Sequence, residues 1–177
     1  GGTAIPGSAR LDDDARRALG EELAGDDPAR AVLAAEMLAM SEKPESELLL
    51  GGLAHTHDEV RDECWRGLEG APLDEPQRAR LAAAFGAEPS EPVRRTALAT
   101  LARQGCEEAL AGVAPDSGLG ARAAIALAER RHEGEALGTA LLPHLEARDS
   151  LGPALAALTP EAVEARGILG RLERWLG

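Results

Sequence analysis

Three stretches of the chain repeat one another without a gap, and this periodicity limits the possible folds more than any other feature. Asp27-Pro28-Ala29-Arg30, Asp58-Glu59-Val60-Arg61 and Glu91-Pro92-Val93-Arg94 each read acid, Pro or Glu, small apolar residue, Arg. The arginines stand 31 and 33 residues apart. Downstream, Leu33, Cys64 and Ala97 share one column, and Met37, Leu68 and Leu101 share the next, four residues later. Steps of four keep side chains on one face of a helix. A unit of this length holds two short helices and cannot bury its apolar stripe alone, so the copies must stack. A fourth copy is degenerate. Leu119, Ala123 and Leu127 match Val93, Ala97 and Leu101, but Gly118 and Gly120 replace the acid–Pro signal and the Arg is lost.

Turn chemistry divides the chain into helices. Proline suits the first turn of a helix, and an acid before it caps free N–H groups. Pro28, Pro44, Pro76, Pro92 and Pro160 mark such starts, while Gly51-Gly52, Gly70, Gly86, Gly105 and Gly134 mark ends or weak points. The expected helices are 9–24, 28–40, 44–54, 58–69, 74–85, 91–103, 106–113, 119–131, 135–147, 150–157 and 160–175. Their short connections require antiparallel neighbours. Composition agrees with an all-α chain. Ala, Leu, Glu and Arg dominate, whereas aromatics make up only 2% and Tyr is missing.

These residues resemble a HEAT-type repeat family, including the short bacterial version found in bilin lyases. The resemblance is clearest in Glu91-Pro92-Val93-Arg94-Arg95-Thr96-Ala97-Leu98-Ala99-Thr100-Leu101 and extends over about residues 20–147. It implies a right-handed α-solenoid of about 4–5 helix hairpins, with the Val-Arg helices lining the concave side. It also implies a ladder linking adjacent repeats, formed by Asp27, Asp58 and Glu91 with Arg30, Arg61 and Arg94. The expected organisation is one domain: a capping helix in 1–26, repeats in 27–147, and a cap in 148–177. Within that cap Ile168, Leu169, Leu172 and Leu176 close the core, while Arg166, Arg171, Glu173 and Arg174 face solvent.

Charge excludes several partners. The net charge is −12, and residues 1–90 carry 19 acids against 9 bases. Nucleic-acid backbones and anionic membranes recruit clustered cations, so neither is expected as a partner. The acidic half suits a basic protein or peptide, or simply keeps the surface solvated. Cys64 and Cys106 form no CxxC pair and read as reduced thiols, which places the chain in the cytoplasm. No apolar run approaches a membrane span and no signal peptide is visible. The opening Gly1-Gly2 reads as a cloning scar, which keeps a longer parent chain open.

Residues able to carry chemistry are few. His55-Thr56-His57-Asp58 offers two imidazoles and a carboxylate to a metal, yet names no further ligand, and its ordinary reading is a loop before a helix. His132-Glu133 resembles one His-Glu pair of deoxyhypusine hydroxylase, whose motif needs several. Cys106 starts a helix without a base beside it in sequence, and Cys64 shares a core column. Asp12-Asp13-Asp14 suits a helix start. Trp65 is either core filler or an anchor on the concave side, and Trp175 suits cap packing. No phosphate loop, GxSxG elbow or HExxH is present.

The expectation is therefore a non-catalytic scaffold or adaptor with no cofactor or metal. It would bind a protein or peptide through Asp62, Arg66, Glu69, Arg95 and Arg103, with Trp65 as anchor. The alternative is an enzyme on the same scaffold, either bilin-lyase-like or metal-dependent. A base-repair glycosylase of this architecture would need a basic groove, which this chain lacks.

Overall fold

The computed structural model describes residues 11–114 together with 119, 120, 122, 123 and 126. All regular structure among them is helical: α1 (Asp13–Leu23), α2 (Pro28–Ala39), α3 (Ser46–Gly52), α4 (Asp58–Glu69), α5 (Glu75–Ala87), α6 (Glu91–Gln104) and α7 (Glu107–Ala111). Residues 120, 122, 123 and 126 are also helical. The expected helices 135–147, 150–157 and 160–175, most of the fourth copy, His132-Glu133, Trp175 and the C-terminal cap lie outside the described residues. The chain divides into two compact units, Gly1–Gln104 and Gly105–Gly177.

Local chemistry explains the starts. Asp12 accepts the Ala15 N–H at 2.7 Å and opens α1, so the acidic triplet does begin a helix. Asp27 accepts the N–H groups of Ala29 and Arg30, with Pro28 following at the first helical position. Asp74 and Gln77 form a reciprocal capping box at α5. The expected helix 44–54 is shorter, Ser46–Gly52, and Glu45 at its N-cap makes no side-chain cap bond. Gly105 ends α6 in the left-handed region (φ 75°), which glycine enters without a Cβ clash.

In the first unit α2, α4 and α6 pack side by side. α1 contacts α2 and α3, α3 contacts α2 and α4, and α5 contacts α3 and α6. The core is Ala31, Ala34, Ala35 and Leu38 of α2, Val60, Cys64, Trp65 and Leu68 of α4, and Val93, Ala97, Leu98 and Leu101 of α6. This corrects the expected columns by one residue in the first copy. Ala34 and Leu38, not Leu33 and Met37, match Cys64/Ala97 and Leu68/Leu101. The reason is that the repeated acid has two roles. Asp27 stands outside its helix as the cap, whereas Asp58 and Glu91 are the first helical residues. Aligning acid with acid therefore misplaces α2 by 100°.

Small residues set the spacing between layers. A Cβ on Gly52 would fall on Cys64 Sγ, itself fully buried. Gly52→Ala should destabilise the first unit by about 1–2 kcal/mol through overpacking. Adding Cys64→Ala should recover part of that loss by removing the sulfur. Urea denaturation of the four members of the cycle checks this, and a coupling of zero would show that the two side chains do not meet.

Candidate partner-binding face

The charged residues expected to meet a partner lie on α4 and α6, and each is held in an ion pair. Arg66 pairs with Asp62 one turn back and with Glu63 at 3.2 Å. Arg103 of α6 reaches across to Glu69 of α4 at 3.0 Å. Arg95 pairs with Glu91 within α6. Arg66, Arg95 and Arg103 are exposed, and Asp62 and Glu69 half-buried; the Arg103–Glu69 pair joins the two neighbouring helices, while Arg95 pairs within its own helix. Exposed pairs of this kind contribute little to stability, which leaves their charge available for recognition.

Trp65 does not join them, which corrects the expectation of an anchor. Its side chain is 0% exposed and belongs to the core where α4 meets α6. The contact is fixed by hydrogen bonds from α6 to the last turn of α4. Thr100 Oγ1 donates to the Trp65 carbonyl at 2.8 Å, and Gln104 Nε2 donates to the carbonyls of Leu68 (2.6 Å) and Ala71 (2.9 Å). These polar side chains tie α6 to the backbone around the C-terminal end of α4.

The expected ladder of acids and arginines takes a different form. Arg61 is the buried member, and each of its five N–H groups has an acceptor. Nε and Nη2 donate to the two oxygens of Glu88 at 2.9 Å each. Nη2 also donates to Asp58 at 2.8 Å, and Nη1 donates to the carbonyls of His55 (2.8 Å) and Thr56 (3.1 Å). Glu88 in turn accepts the Ser90 N–H at 2.9 Å. The link from the second copy to the third thus runs through Glu88, which the sequence reading missed, rather than through Glu91. In the first copy Arg30 pairs with Glu22 of α1 while Asp27 serves as a cap. In the third, the Arg94 guanidinium stacks 5.0 Å above the Phe85 ring. Hydrogen bonding from Ser90, then from Arg61, holds the Asp58 carboxyl below its usual range.

A signal for Glu88 exists in the sequence. Gly25, His55 and Glu88 each stand three residues before a helix of the repeated set. The His55 ring meets the Gly25 carbonyl at 3.0 Å through Nε2, so this position also joins successive loops. Nδ1 of the same ring accepts the His57 N–H at 3.2 Å. Both nitrogens of His55 are therefore engaged in holding loops, and His57 lies 5.4 Å away between ring centroids. Among the described residues no group of three or more His, Cys, Asp or Glu side chains is placed to hold a metal ion.

Burial, and then the charge of Glu63, pushes the Cys64 thiol up to about 12, so it stays protonated. Cys106 stands at the start of the five-residue α7. A cleft of about 440 Å³ opens between α1 and α3, lined by Gly20, Leu23, Leu48, Gly52, His55 and Thr56. Its imidazole is committed as described. Among the described residues no helix is long and apolar enough to cross a membrane. No protein-family model, curated protein or solved structure matches the chain.

Proposed function

We propose that this chain is a non-catalytic protein-binding scaffold, a short right-handed α-solenoid of HEAT-like repeats that grips its partner through its concave face. The reading is supported by the charged positions Asp62, Arg66 and Glu69 on α4 and Arg95 and Arg103 on α6. These side chains lie on helices that pack in series, and one of their ion pairs bridges two helices. Serial helices of this kind present extended surfaces suited to proteins and peptides. The core beneath is made of small and medium apolar side chains that hold the helices in register and carry no chemistry. The partner is a protein or peptide, with a basic one favoured by the net charge of −12. No cofactor or metal enters this reading. A buried, protonated Cys64 fits a reducing compartment such as the cytoplasm.

Capture of partners from the native host, followed by purified binding assays, tests the proposal. The double reversal Asp62→Arg, Glu69→Arg should weaken the purified complex by about tenfold or more, about 1.4 kcal/mol. Circular dichroism should show an unchanged fold, because both half-buried side chains reach solvent and belong to no core cluster. Undiminished affinity would reject this face.

A further inference from the structure

The repeats also leave one helix face whose chemistry they do not require. Leu33, Met37 and Met40 of α2 and its C-cap are 56%, 47% and 70% exposed, and they are the exposed large hydrophobic residues among those described. Spacings of four and three place them on one face of the helix. In register, the matching positions are Glu63, Gly67 and Gly70 on α4 and Thr96, Thr100 and Arg103 on α6. None of those six is a large apolar residue, so the stripe is particular to α2.

The same register says what kind of element fits there. Gly67 lies against Ala39 of α2, and Thr100 bonds to Trp65 of α4. At this position each later helix meets the helix before it. Met37 holds the position on α2, the first of the side-by-side helices, and remains half open. A helix is the element that covers both counterparts. Charge then selects the helix. Glu36 is exposed beside the stripe and Glu42 just beyond it, while Arg30 on the other flank is held by Glu22. Lys43, exposed, is the one nearby cation among the described residues that no carboxylate pairs, against those two carboxylates. A second copy would bring the same acidic border and a charge of −12, and would be repelled. Methionine adds an unbranched, polarisable side chain that adapts to varied apolar surfaces.

We infer that the Leu33–Met37–Met40 stripe is the docking site for an amphipathic helix of a partner protein, apolar on one face and bordered by Lys or Arg. This rests on the protein-binding reading above and names the chemistry of the partner.

The sequence offers a direct probe, because Met37 and Met40 are its only two methionines. With ¹³C-methyl-methionine labelling the protein should give two methyl signals, assigned with Met37→Leu. In the free protein both should be attenuated by a soluble nitroxide. An amphipathic Leu/Lys helix peptide of about five turns should shift both and protect them. The Leu/Glu counterpart should do neither. Leu33→Ser, Met37→Ser should raise the Kd of the Leu/Lys peptide by about tenfold or more with the fold intact. Methyls already protected in the free protein would overturn the inference: at all concentrations, this chain's own residues cover the stripe; only at high concentration, a second copy does. Equal shifts with both peptides, or none with either, would also overturn it. Should the Leu/Lys peptide bind with the methyls unmoved and be weakened by Asp62→Arg, Glu69→Arg, the stripe inference fails while the charged-face reading stands.

Discussion

Glu88→Ala should lower the stability of the first unit by about 3 kcal/mol, because removing one partner of a buried ion pair strands the other. Arg61 is 6% exposed and spends two of its five N–H groups on Glu88. With Glu88 gone, the acceptors of those two donors and the cation's main counter-charge are lost together. Asp58 still accepts one bond, which places the effect at the lower end of the usual range. The Ser90 N–H loses its acceptor as well, so the entry to α6 loosens. Glu88→Gln should recover part of the loss by restoring an acceptor, yet leave the charge unbalanced. Arg61→Met, Glu88→Met should be closer to wild type than Glu88→Ala, since it removes the stranded cation. Urea denaturation followed by circular dichroism measures all three. A loss below about 0.5 kcal/mol for Glu88→Ala would show that Arg61 is solvated and that the link between copies carries little.

The helices were legible because their signals are local. Apolar steps of four, acids before first turns and glycines at ends depend only on neighbours in sequence, and α4 and α6 begin where those signals place them. The register of α2 was not, because an acid can stand either as the cap or as the first helical residue. Asp27 and Asp58 look alike in sequence and differ in that choice. Glu88 was missed for a related reason. Its role depends on an arginine 27 residues earlier, and only the packed loops reveal that Gly25, His55 and Glu88 share a position. The charged face was read from helix periodicity, which says which residues point outward. Its pairing from Glu69 to Arg103 depends on two helices meeting and is invisible to periodicity. The exposed stripe on α2 was hidden by the one-residue slip, which had assigned Leu33 and Met37 to the core.

Trp65 separates the two uses a sequence allows for a lone large aromatic, and mutation should show it acting as core. Trp65→Ala should cost about 3–5 kcal/mol, since it empties the largest fully buried side chain among those described. The surroundings cannot collapse easily, because Thr100 and Gln104 pin α6 to the backbone of α4. Trp65→Phe should cost much less than its loss of volume suggests. The indole Nε1 is buried, and no described residue accepts its hydrogen bond, so phenylalanine also removes an unmet donor. Trp65→Leu should fall between the two. If the ring were instead a surface anchor, all three replacements would leave stability within about 0.5 kcal/mol and weaken only partner binding. A large stability loss for alanine with a small one for phenylalanine is the pattern that burial requires. A loss for phenylalanine close to that for alanine would mean that Nε1 holds a hydrogen bond worth most of the side chain's contribution.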